Sequence, residues 1–426
     1  MENKRRIVIT GVGPFTSIGI GKEKFWINLL EGRIKLNRIP DRFEKNYSFR
    51  SKYYVPFPDY SLDEFEISTR YASLMEESSK VSLVATKLAL DDSGLLRDGS
   101  GIKNYDKESI NVVLGVGIGS MQTMMDSYAL HNFGNRQDIL KIVNLKPPFN
   151  RMAIPSVMPN SASSWVSIYY GICGTNYTVN SACSSGLFAI GEAFRRIKDG
   201  YADMVIAGGV ECLREKNGTV MRAFDMLDTL TKSVDGFPKP FSYKRSGFLF
   251  SEGGACILIL EEYSSAIQRG ARIYAEIISF ESNSDAYNIV QLDPSGRQIK
   301  NLIRKTIANY HIDYLNTHGT ATFTNDKIEY EAIREIFGDV KTQPLINSTK
   351  SILGHTIGAS GSIELAATAL SVYESMVHQN LSENTFENLN LVKNSSHLDI
   401  SYALSTSYGF GGQNCAILIG NPKLNT

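Results

Sequence analysis

The chain has few cysteines and no excess of charge of either sign, and each absence excludes classes of protein. Five cysteines occur in 426 residues, with no Cys-x-x-Cys pair, so a disulfide-built secreted fold and a zinc ribbon are both unexpected. Lys plus Arg and Asp plus Glu each number 44, which argues against a nucleic-acid or membrane surface spread over the whole chain. We therefore predict a cytoplasmic protein that binds neither nucleic acid nor membrane.

Long apolar runs are also absent. No stretch approaches the ~18 residues that a membrane-spanning helix needs. The apolar segment 7–9 follows basic residues, as in a signal peptide, but it breaks at Thr10, Gly11 and Pro14. We interpret it as a first strand. The hydrophobic fraction of 42% is typical of a globular chain, which needs no disulfide or metal in order to fold. The length of 426 residues suggests two or three domains, or one large one.

Short β-branched runs bounded by glycine alternate with helical patterns along the chain. Three segments repeat apolar residues at spacings of three and four and are predicted helices: 71–90, 183–198 and 361–373. The runs interpreted as strands are 7–9, 112–116, 205–207, 257–260 and 416–419. This alternation predicts an α/β protein with mostly parallel sheets.

The two halves of the chain resemble each other in their sequence pattern. A helix that opens with small residues follows a strand-like segment near 183–186 and again near 354–361. We therefore predict two similar, tightly fused α/β halves, residues 1–262 and 263–426, with the chemistry at their junction. Segments 121–155 and 228–252 lack a regular pattern and are predicted to be functional or interface loops.

Cys183 is the first candidate for chemistry. It lies in Ser-Ala-Cys-Ser-Ser-Gly, residues 181–186, where a strand-like segment passes into a helix. The positive end of that helix lowers the pKa of a thiol by about one unit, which favours a nucleophile. The alternative is a buried, inert cysteine, the commoner role of an isolated free thiol.

Two of the six histidines, His318 and His355, lie where a strand gives way to a glycine-containing turn. Such turns commonly carry catalytic side chains in α/β proteins, although either histidine could be a hydrogen-bonded turn residue. Lys350 and Glu364 bracket His355 and could fix its tautomer and pKa, or form an ordinary surface ion pair. Zinc ligation by Cys183 and both histidines is a further alternative, but no ligand spacing supports it.

A glycine-rich turn, residues 408–414, precedes the last predicted strand. It has neither the Gly-Lys-[Ser/Thr] of a P-loop nor the acidic residue that completes a dinucleotide fingerprint. Its backbone N–H groups could stabilise an oxyanion, and Phe410 between Gly409 and Gly411 could act as a gate. A tight connecting loop is the alternative.

Together these motifs resemble the β-ketoacyl-acyl-carrier-protein synthases, the ketosynthases of the thiolase fold, over nearly the whole chain. The segments that carry the resemblance, in family order, are 182–186, 239–255, 316–326, 348–361 and 409–412. It implies a layered α-β-α-β-α architecture built from two similar halves. It also implies that the substrates are carried on the phosphopantetheine arm of an acyl carrier protein. No metal or redox cofactor is expected.

The resemblance implies a role for each charged or nucleophilic candidate. Cys183 is expected to take the acyl chain from the carrier. His318 and His355 are expected to assist decarboxylation of malonyl carrier and to stabilise the enolate. Lys350 and Glu364 match the family's supporting charged positions. The expected reaction is a decarboxylative Claisen condensation.

The resemblance also assigns roles to the glycine-rich turn and to two threonines. The backbone N–H groups of the nucleophile and of Phe410 match the oxyanion hole. Phe410, with Gly409 and Gly411 beside it, matches the gate. Thr320 and Thr322 match positions that hydrogen-bond the pantetheine arm.

Departures from the family pattern favour a polyketide pathway over housekeeping fatty-acid synthesis. Ser242 and Ser246 stand where Asp is frequent, Thr175 where Pro is usual, and Tyr408 where Phe is frequent. Two other features are closer to polyketide ketosynthases: Gly19-Ile20-Gly21 with Phe25-Trp26, and the lengthened segment 121–155. We expect the ketosynthase α subunit of a type II polyketide synthase, with a fatty-acid elongation β-ketoacyl-ACP synthase II as the alternative.

Two further alternatives and the partners follow from the same resemblance. A thiolase would use a second cysteine as base, but Cys415 falls where synthases place a strand residue. A non-catalytic chain-length subunit would lack Cys183. We expect a homodimer, or a heterodimer with a chain-length factor, and an acidic carrier protein. Arg195, Arg196 and Lys198 are candidates for its docking patch, although a solvated helix face explains them equally well.

Overall fold

The computed structural model describes residues 5–96, 101–133 and 150–425. The strands are β1 Ile7–Thr16, β2 Gly19–Ile20, β3 Asn37–Arg38, β4 Tyr53–Tyr54, β5 Ile110–Gly115, β6 Asn176–Val179, β7 Met204–Cys212, β8 Gly253–Glu262, β9 Ala275–Ser284, β10 Tyr314–Asn316, β11 Leu345–Asn347, β12 Met376–Val377, β13 Ser396–His397, β14 Tyr402–Gly409 and β15 Gln413–Gly420. The helices are α1 Lys22–Leu30, α2 Glu77–Asp92, α3 Gln122–Phe133, α4 Ala153–Val157, α5 Ser161–Tyr170, α6 Ser185–Lys198, α7 Thr219–Met226, α8 Tyr263–Gln268, α9 Arg297–Ile307, α10 Phe323–Phe337, α11 Lys350–Leu353 and α12 Ser360–Glu374.

Two sets of five strands have the same order and the same directions. The first set runs β6-β5-β7-β8-β1 and the second β11-β10-β14-β15-β9. In each set the first two pairs are parallel and the next two antiparallel. The sets join where Ile7–Ile9 of β1 pair antiparallel with Ala275–Ile277 of β9. The fold is α/β with two similar halves, as predicted.

The prediction of mostly parallel sheets is wrong. Within the described residues, β1, β8, β9 and β15 make only antiparallel pairs. For β14 and β15 the antiparallel direction follows from their connection. The two strands are joined by the short turn 410–412, and a tight hairpin can connect only antiparallel strands. Parallel pairing is confined to β5, β6, β7 and their counterparts β10, β11, β14, which are separated by long crossover connections.

The helices form three layers with the strands between them. Helices α6 and α12 pack against each other and each contacts strands of both sets. Residues 360–372 of α12 are all buried, as expected of a helix enclosed on every side. Helices α2 and α5 cover the outer face of the first set, and α9 and α10 that of the second. This is the α-β-α-β-α architecture of the thiolase fold.

Each of the five predicted strands overlaps an observed strand, and the predicted helix 361–373 lies within α12. The helix predicted over 71–90 begins only at Glu77, because residues 69–74 form a 3-10 turn. The prediction that 121–155 is irregular is wrong for α3 and α4, while its central residues 134–149 lie outside the described ranges. The loop predicted at 228–252 contains no named helix or strand. No helix within the described ranges is both long enough and apolar enough to cross a membrane.

Candidate active site

Cys183 lies on a tight turn between β6 and α6. The turn is a 3-10 segment, Ala182–Ser184, and Ala182 has a left-handed φ of 50°. That conformation costs a non-glycine residue roughly 1–2 kcal/mol, so neighbouring contacts must hold it. The Ser184 hydroxyl donates to the Ser181 carbonyl at 2.7 Å. A Cβ at Gly409 would lie 2.4 Å from the same carbonyl oxygen, so only glycine lets β14 end this close to the nucleophile's turn.

The structure brings Cys183, His318 and His355 to the wall of one cavity of about 240 Å³. His318 follows β10, and His355 follows α11. Their ring centroids are 5.6 Å apart, with the planes at 86°. Both rings are buried, at 4% and 2% exposed. The three side chains that the sequence analysis singled out from distant segments therefore share one site.

The ring of His318 is held by Lys350. The ammonium nitrogen Nζ lies 3.2 Å from His318 Nδ1 and donates to the His318 carbonyl at 2.8 Å. An ammonium group has no acceptor, so Nδ1 must accept and the ring hydrogen is assigned to Nε2. Burial, followed by the charges of Lys350 and His355, lowers the pKa of His318 well below its usual value. At neutral pH His318 is therefore an uncharged donor through Nε2.

His355 reaches the same state through different partners. Its Nδ1 accepts the N–H of Ile357 at 3.3 Å and lies 2.9 Å from the Ser360 hydroxyl. The hydrogen is therefore assigned to Nε2 here as well. Burial, and then the Lys350 charge, lowers the pKa of His355 well below its usual value. The site thus holds two neutral imidazoles, each with a free N–H donor, which suits the stabilisation of a developing oxyanion.

Lys350 and Glu364 form a buried ion pair and not the surface pair that the sequence left open. Nζ lies 2.5 Å from Glu364 Oε1, and the two side chains are 3% and 2% exposed. Burial raises the pKa of Glu364 to about 7, against the opposing charge of Lys350. Loss of either partner would leave an uncompensated buried charge, at a cost of about 3–5 kcal/mol. The pair fixes the ammonium group that orients His318.

The expected lowering of the Cys183 pKa by the helix end is outweighed by burial. Burial raises the pKa of the thiol to about 12, although Lys350 and the backbone N–H groups of Phe410 and of Cys183 itself act in the opposite direction. The helix end contributes only about one pKa unit, which is less than the desolvation of a fully buried thiolate. At neutral pH the Cys183 side chain is therefore a thiol, which would have to lose its proton in order to act as a nucleophile.

We expect alkylation of Cys183 by iodoacetamide to accelerate about tenfold per pH unit between pH 7 and 9, because only the thiolate reacts and the pKa of about 12 lies above this range. The rate is measured by mass spectrometry of the Cys183 peptide. Exposed Cys173 in the same digest controls for reagent decay. A rate for Cys183 that levels off below pH 9 would contradict the expectation.

The glycine-rich turn lies beside the thiol. The backbone N–H groups of Phe410 and of Cys183 itself both lower the pKa of the Cys183 thiol, against the effect of burial. N–H groups that favour negative charge at this sulfur are suited to stabilise an oxyanion beside it. Gly411 and Gly412 have φ of 81° and 73°, a conformation that favours glycine. Phe410 is partly buried and lines the cavity, where the sequence analysis placed a gate.

The rest of the cavity combines polar and apolar walls. Thr320 and Thr322 line it, with their hydroxyl oxygens 3.0 Å apart. The other polar lining residues are Asp228, Thr229, Gln291, Thr324 and Asn325. The aromatic and aliphatic ones, besides Phe410, are Phe224, Leu227, Phe248, Val290, Leu292, Phe323, Ile357 and Tyr408. Such a mixture suits a long apolar chain carried on an arm that contains amide groups.

Two buried carboxylates that support His318 were not identified from the sequence. Glu329 accepts the N–H groups of His318 at 2.9 Å and Gly319 at 2.7 Å, as well as the Asn325 amide. Asp326 accepts the N–H of Ala321 at 3.0 Å. Burial raises the pKa of Glu329 to about 8. The available signal was an Asn-Asp pair and a Glu at helical spacing directly after the histidine turn.

The zinc and thiolase alternatives find no support in the geometry. Among the described residues, no group of three or more His, Cys, Asp or Glu is arranged to hold a metal ion. The Nδ1 atoms of His318 and His355 are already occupied by protein partners. Cys415 is buried in β15, its sulfur 4.0 Å from the Ser184 carbonyl, and it is not among the residues that line the cavity.

Comparison with known proteins agrees with this arrangement. The model of the β-ketoacyl synthase N-terminal domain matches residues 4–265, and that of the C-terminal domain matches residues 274–384. The chain belongs to the β-ketoacyl synthase family. It is thus a β-ketoacyl-ACP synthase, an acyltransferase that forms a carbon–carbon bond by condensation, and its identification as a type II ketosynthase is confirmed.

Both biosynthetic branches occur among the relatives of this ketosynthase. The 3-oxoacyl-[acyl-carrier-protein] synthase 2 of Staphylococcus aureus (strain N315) is 32% identical over 98% of this chain and 99% of the relative. The ishigamide ketosynthase/chain length factor is 25% identical with a TM-score of 0.86, over 98% of this chain and 99% of that one. AntDE:AntF, a type II polyketide acyl carrier protein in complex with its ketosynthase bound to the hexaketide, is 25% identical with a TM-score of 0.84 and the same coverage.

Proposed function

We propose that this ketosynthase condenses an acyl group held on Cys183 with malonyl carrier protein in a type II polyketide pathway. The observation that carries the proposal is the convergence of a buried thiol and two imidazoles on one cavity that Phe410 also lines. Its substrates arrive on the phosphopantetheine arm of the carrier, and no other cofactor takes part. We place the enzyme in the cytoplasm.

In the first half-reaction, the Cys183 sulfur attacks the thioester carbonyl of the acyl carrier. The new S–C bond forms as the bond to pantetheine sulfur breaks, and the Cys183 proton ends on the departing pantetheine thiol. The developing oxyanion is stabilised by the N–H groups of Cys183 and Phe410. Each such donor contributes about 3–4 kcal/mol to transition-state stabilisation.

In the second half-reaction, the bond between the malonyl α-carbon and its carboxylate breaks and CO2 leaves. The electron pair of that bond forms the enolate of the thioester. The Nε2–H groups of His318 and His355 donate to the enolate oxygen. The enolate carbon then attacks the acyl carbon on Cys183, so that the C–C bond forms and the C–S bond breaks. The released thiolate takes a proton from solvent. Neutral imidazoles suit this step because the negative charge on the enolate oxygen needs hydrogen-bond donors, and no proton has to be transferred to it.

A basic cleft beside the cavity is the better candidate for carrier docking. Arg42, Lys45 and Arg222 line a cleft of about 330 Å³, and no acidic residue is among the described residues that line it. Arg222 lies on α7, and Phe224 of the same helix lines the active-site cavity. An acidic carrier bound there would hold its arm close to the cavity.

The cluster singled out in the sequence, Arg195, Arg196 and Lys198, is less suitable. It lies at the C-terminal end of α6, about 20 Å along the helix from the nucleophile's end. Arg195 is paired with Glu192, and the Arg196 guanidinium donates to the Thr175 hydroxyl. These side chains have local partners, whereas the lining of the basic cleft offers no acidic one.

We expect the double variant K45E/R222E to raise the KM for malonyl carrier about tenfold at low salt while kcat changes little, because charges at the edge of an interface act mainly on encounter. The activity with malonyl-pantetheine, which lacks the carrier protein, should stay unchanged. Arg195→Glu is the matched control and should leave both KM values unchanged. A larger effect of Arg195→Glu than of the double variant would reverse the assignment.

We also propose association through the edge strand β6. It ends the row of strands, so one of its sides has no strand partner in the described part of the chain. Exposed apolar side chains lie nearby in sequence: Ile154, Met158 and Ile168. A free strand edge with an apolar surround is a common pairing surface. Purification from the native host distinguishes a homodimer from a heterodimer with a related, chain-length-factor-like chain.

A fatty-acid elongation synthase with the same residues is the second candidate, favoured by 32% identity to the S. aureus 3-oxoacyl-[acyl-carrier-protein] synthase 2. Product analysis separates the two. With carrier, malonyl units and no reductive enzymes, a polyketide enzyme builds poly-β-keto chains, whereas an elongation synthase stops after one condensation and resumes only when its product has been reduced. A single addition under these conditions would refute an iterative polyketide assignment and favour the elongation synthase.

A further inference from the structure

Glu211, near the end of β7, is a fully buried carboxylate that the catalytic steps above do not use. In the described part of the chain it forms no ion pair with Lys or Arg. Its two oxygens instead accept four backbone N–H groups: from Gly117 at 3.1 Å, Ile118 at 3.0 Å, Gly358 at 2.9 Å and also Gly119. These donors come from two segments that are far apart in the chain.

The cradle around this carboxylate depends on glycine. A Cβ on Gly117 would lie 2.5 Å from Glu211 Oε2, and a Cβ on Gly358 would lie 2.3 Å from the Gly117 nitrogen. Both positions therefore need the absence of a side chain so that the backbones can approach each other and the carboxylate. One side chain joins the loop 117–119 to the turn that follows His355.

That second turn is strained. Gly358 lies in the 3-10 segment Ile357–Ala359, and Ile357 has a left-handed φ of 48°. For a β-branched residue this conformation costs about 1–3 kcal/mol and persists only where the surroundings hold it. The N–H of this same Ile357 donates to His355 Nδ1. The strained residue is thus the one that sets the hydrogen position on the catalytic ring.

We propose that Glu211 is a positioning residue that holds the strained turn so that His355 keeps its Nε2–H directed to the substrate oxygen. By fixing Gly358, the carboxylate holds the peptide that follows Ile357, and with it the direction of the Ile357 N–H. The same carboxylate fixes the loop 117–119, whose Gly117 carbonyl accepts the Asn180 amide at 2.9 Å beside the nucleophile's turn. The proposal rests on the proposed function for its kinetic consequence only.

The variant Glu211→Gln tests the proposal with little change in shape. A glutamine has one acceptor oxygen, so its NH2 group must face two of the four N–H donors, which then lose their acceptor. The matched control is Glu215→Gln. Glu215 is also a buried carboxylate that accepts a backbone N–H, from Asn217 at 2.7 Å, but it lines a separate surface cleft. Circular dichroism and thermal unfolding establish that each variant is folded.

Glu211→Gln is expected to slow malonyl decarboxylation about 10- to 100-fold, as misplacement of a catalytic group does. Loading of the acyl chain onto Cys183 should change much less than decarboxylation does, because its oxyanion donors are the N–H groups of Cys183 and Phe410 and not the His355 ring. The 15N spectrum of labelled imidazoles should show His355 as one Nε2–H tautomer in the parent chain and as a mixture in the variant. Glu215→Gln should match the parent in all three measurements.

An unchanged His355 tautomer in folded Glu211→Gln, or equal losses in loading and decarboxylation, would overturn the positioning role. If Glu211→Gln does not fold, Glu211→Asp, which keeps the charge but shortens the reach, is judged by the same criteria. The tautomer is read without substrate, so it tests Glu211 independently of the reaction. A parent enzyme that fails to decarboxylate malonyl carrier would refute the proposed function and leave the spectroscopic result standing.

Discussion

Replacing Cys183 by alanine is expected to abolish acyl loading and to lower condensation on the order of 10⁶-fold, as loss of a catalytic nucleophile does elsewhere. The reason is that both half-reactions pass through the acyl-sulfur bond. Decarboxylation of malonyl carrier should persist, because it needs only the two imidazole donors. Incubation with acyl carrier followed by peptide mass spectrometry measures the first effect, and release of CO2 measures the second.

Cys256→Ala is the matched control for this change. Cys256 is buried in β8 and is not among the residues that line the cavity, so loading and condensation should be retained. The acyl mass should be found on the Cys183 peptide in the parent chain and in the control. An active parent enzyme whose acyl group is found on another peptide would refute the assignment of the nucleophile.

His355→Ala is expected to reduce decarboxylation of malonyl carrier about 10²- to 10³-fold, the usual effect of removing one oxyanion donor. Acyl loading on Cys183 should remain, since its oxyanion is held by backbone N–H groups. In the parent enzyme, the rate of decarboxylation plotted against pH should show no titration with a midpoint near pH 6.5. Burial lowers the pKa of both histidines well below this value, so they stay neutral as the pH rises from 6 to 8.

Two changes calibrate the His355 result. His311→Ala removes an exposed histidine, 83% accessible, and should leave decarboxylation unaltered. His355→Asn keeps an N–H donor near the same place and should recover part of the lost rate. A rate that is the same in His355→Ala as in the parent would remove His355 from the mechanism.

Much of the fold follows from local pattern. Buried strands are continuous apolar runs, so segments such as 205–207 and 257–260 were located from sequence. The pairing direction was not, because it depends on which strands a chain connection places side by side. Helix α3 was missed although Met124 and Met125 lie four and three residues before Tyr128, because the prolines at 147, 148 and 155 favoured an irregular segment. The division into residues 1–262 and 263–426 stays a prediction.

The candidate site was partly predictable for a similar reason. Cys183, His318 and His355 carry their chemistry in the residue type and sit at turns that the sequence reveals. The pKa of Cys183 was not predictable, because it depends on how completely the folded chain excludes water. Glu211 was missed because its partners are backbone N–H groups, which leave no signature in the residue letters. Glu329 was missed although it follows the histidine turn at helical spacing from Asn325, whose amide it accepts.

The two central helices, α6 and α12, begin in the same way, but only the beginning of α6 carries a cysteine. Before each, a left-handed residue opens a 3-10 turn: Ala182 ahead of α6 and Ile357 ahead of α12. The residue that follows is Cys183 in the first case and Gly358 in the second. A side chain on Gly358 would collide with the Gly117 backbone, so the duplicated position has no room for a second thiol. Under the proposed function, the acyl group is therefore attached in the first half of the chain, and the corresponding turn of the second half offers no equivalent thiol.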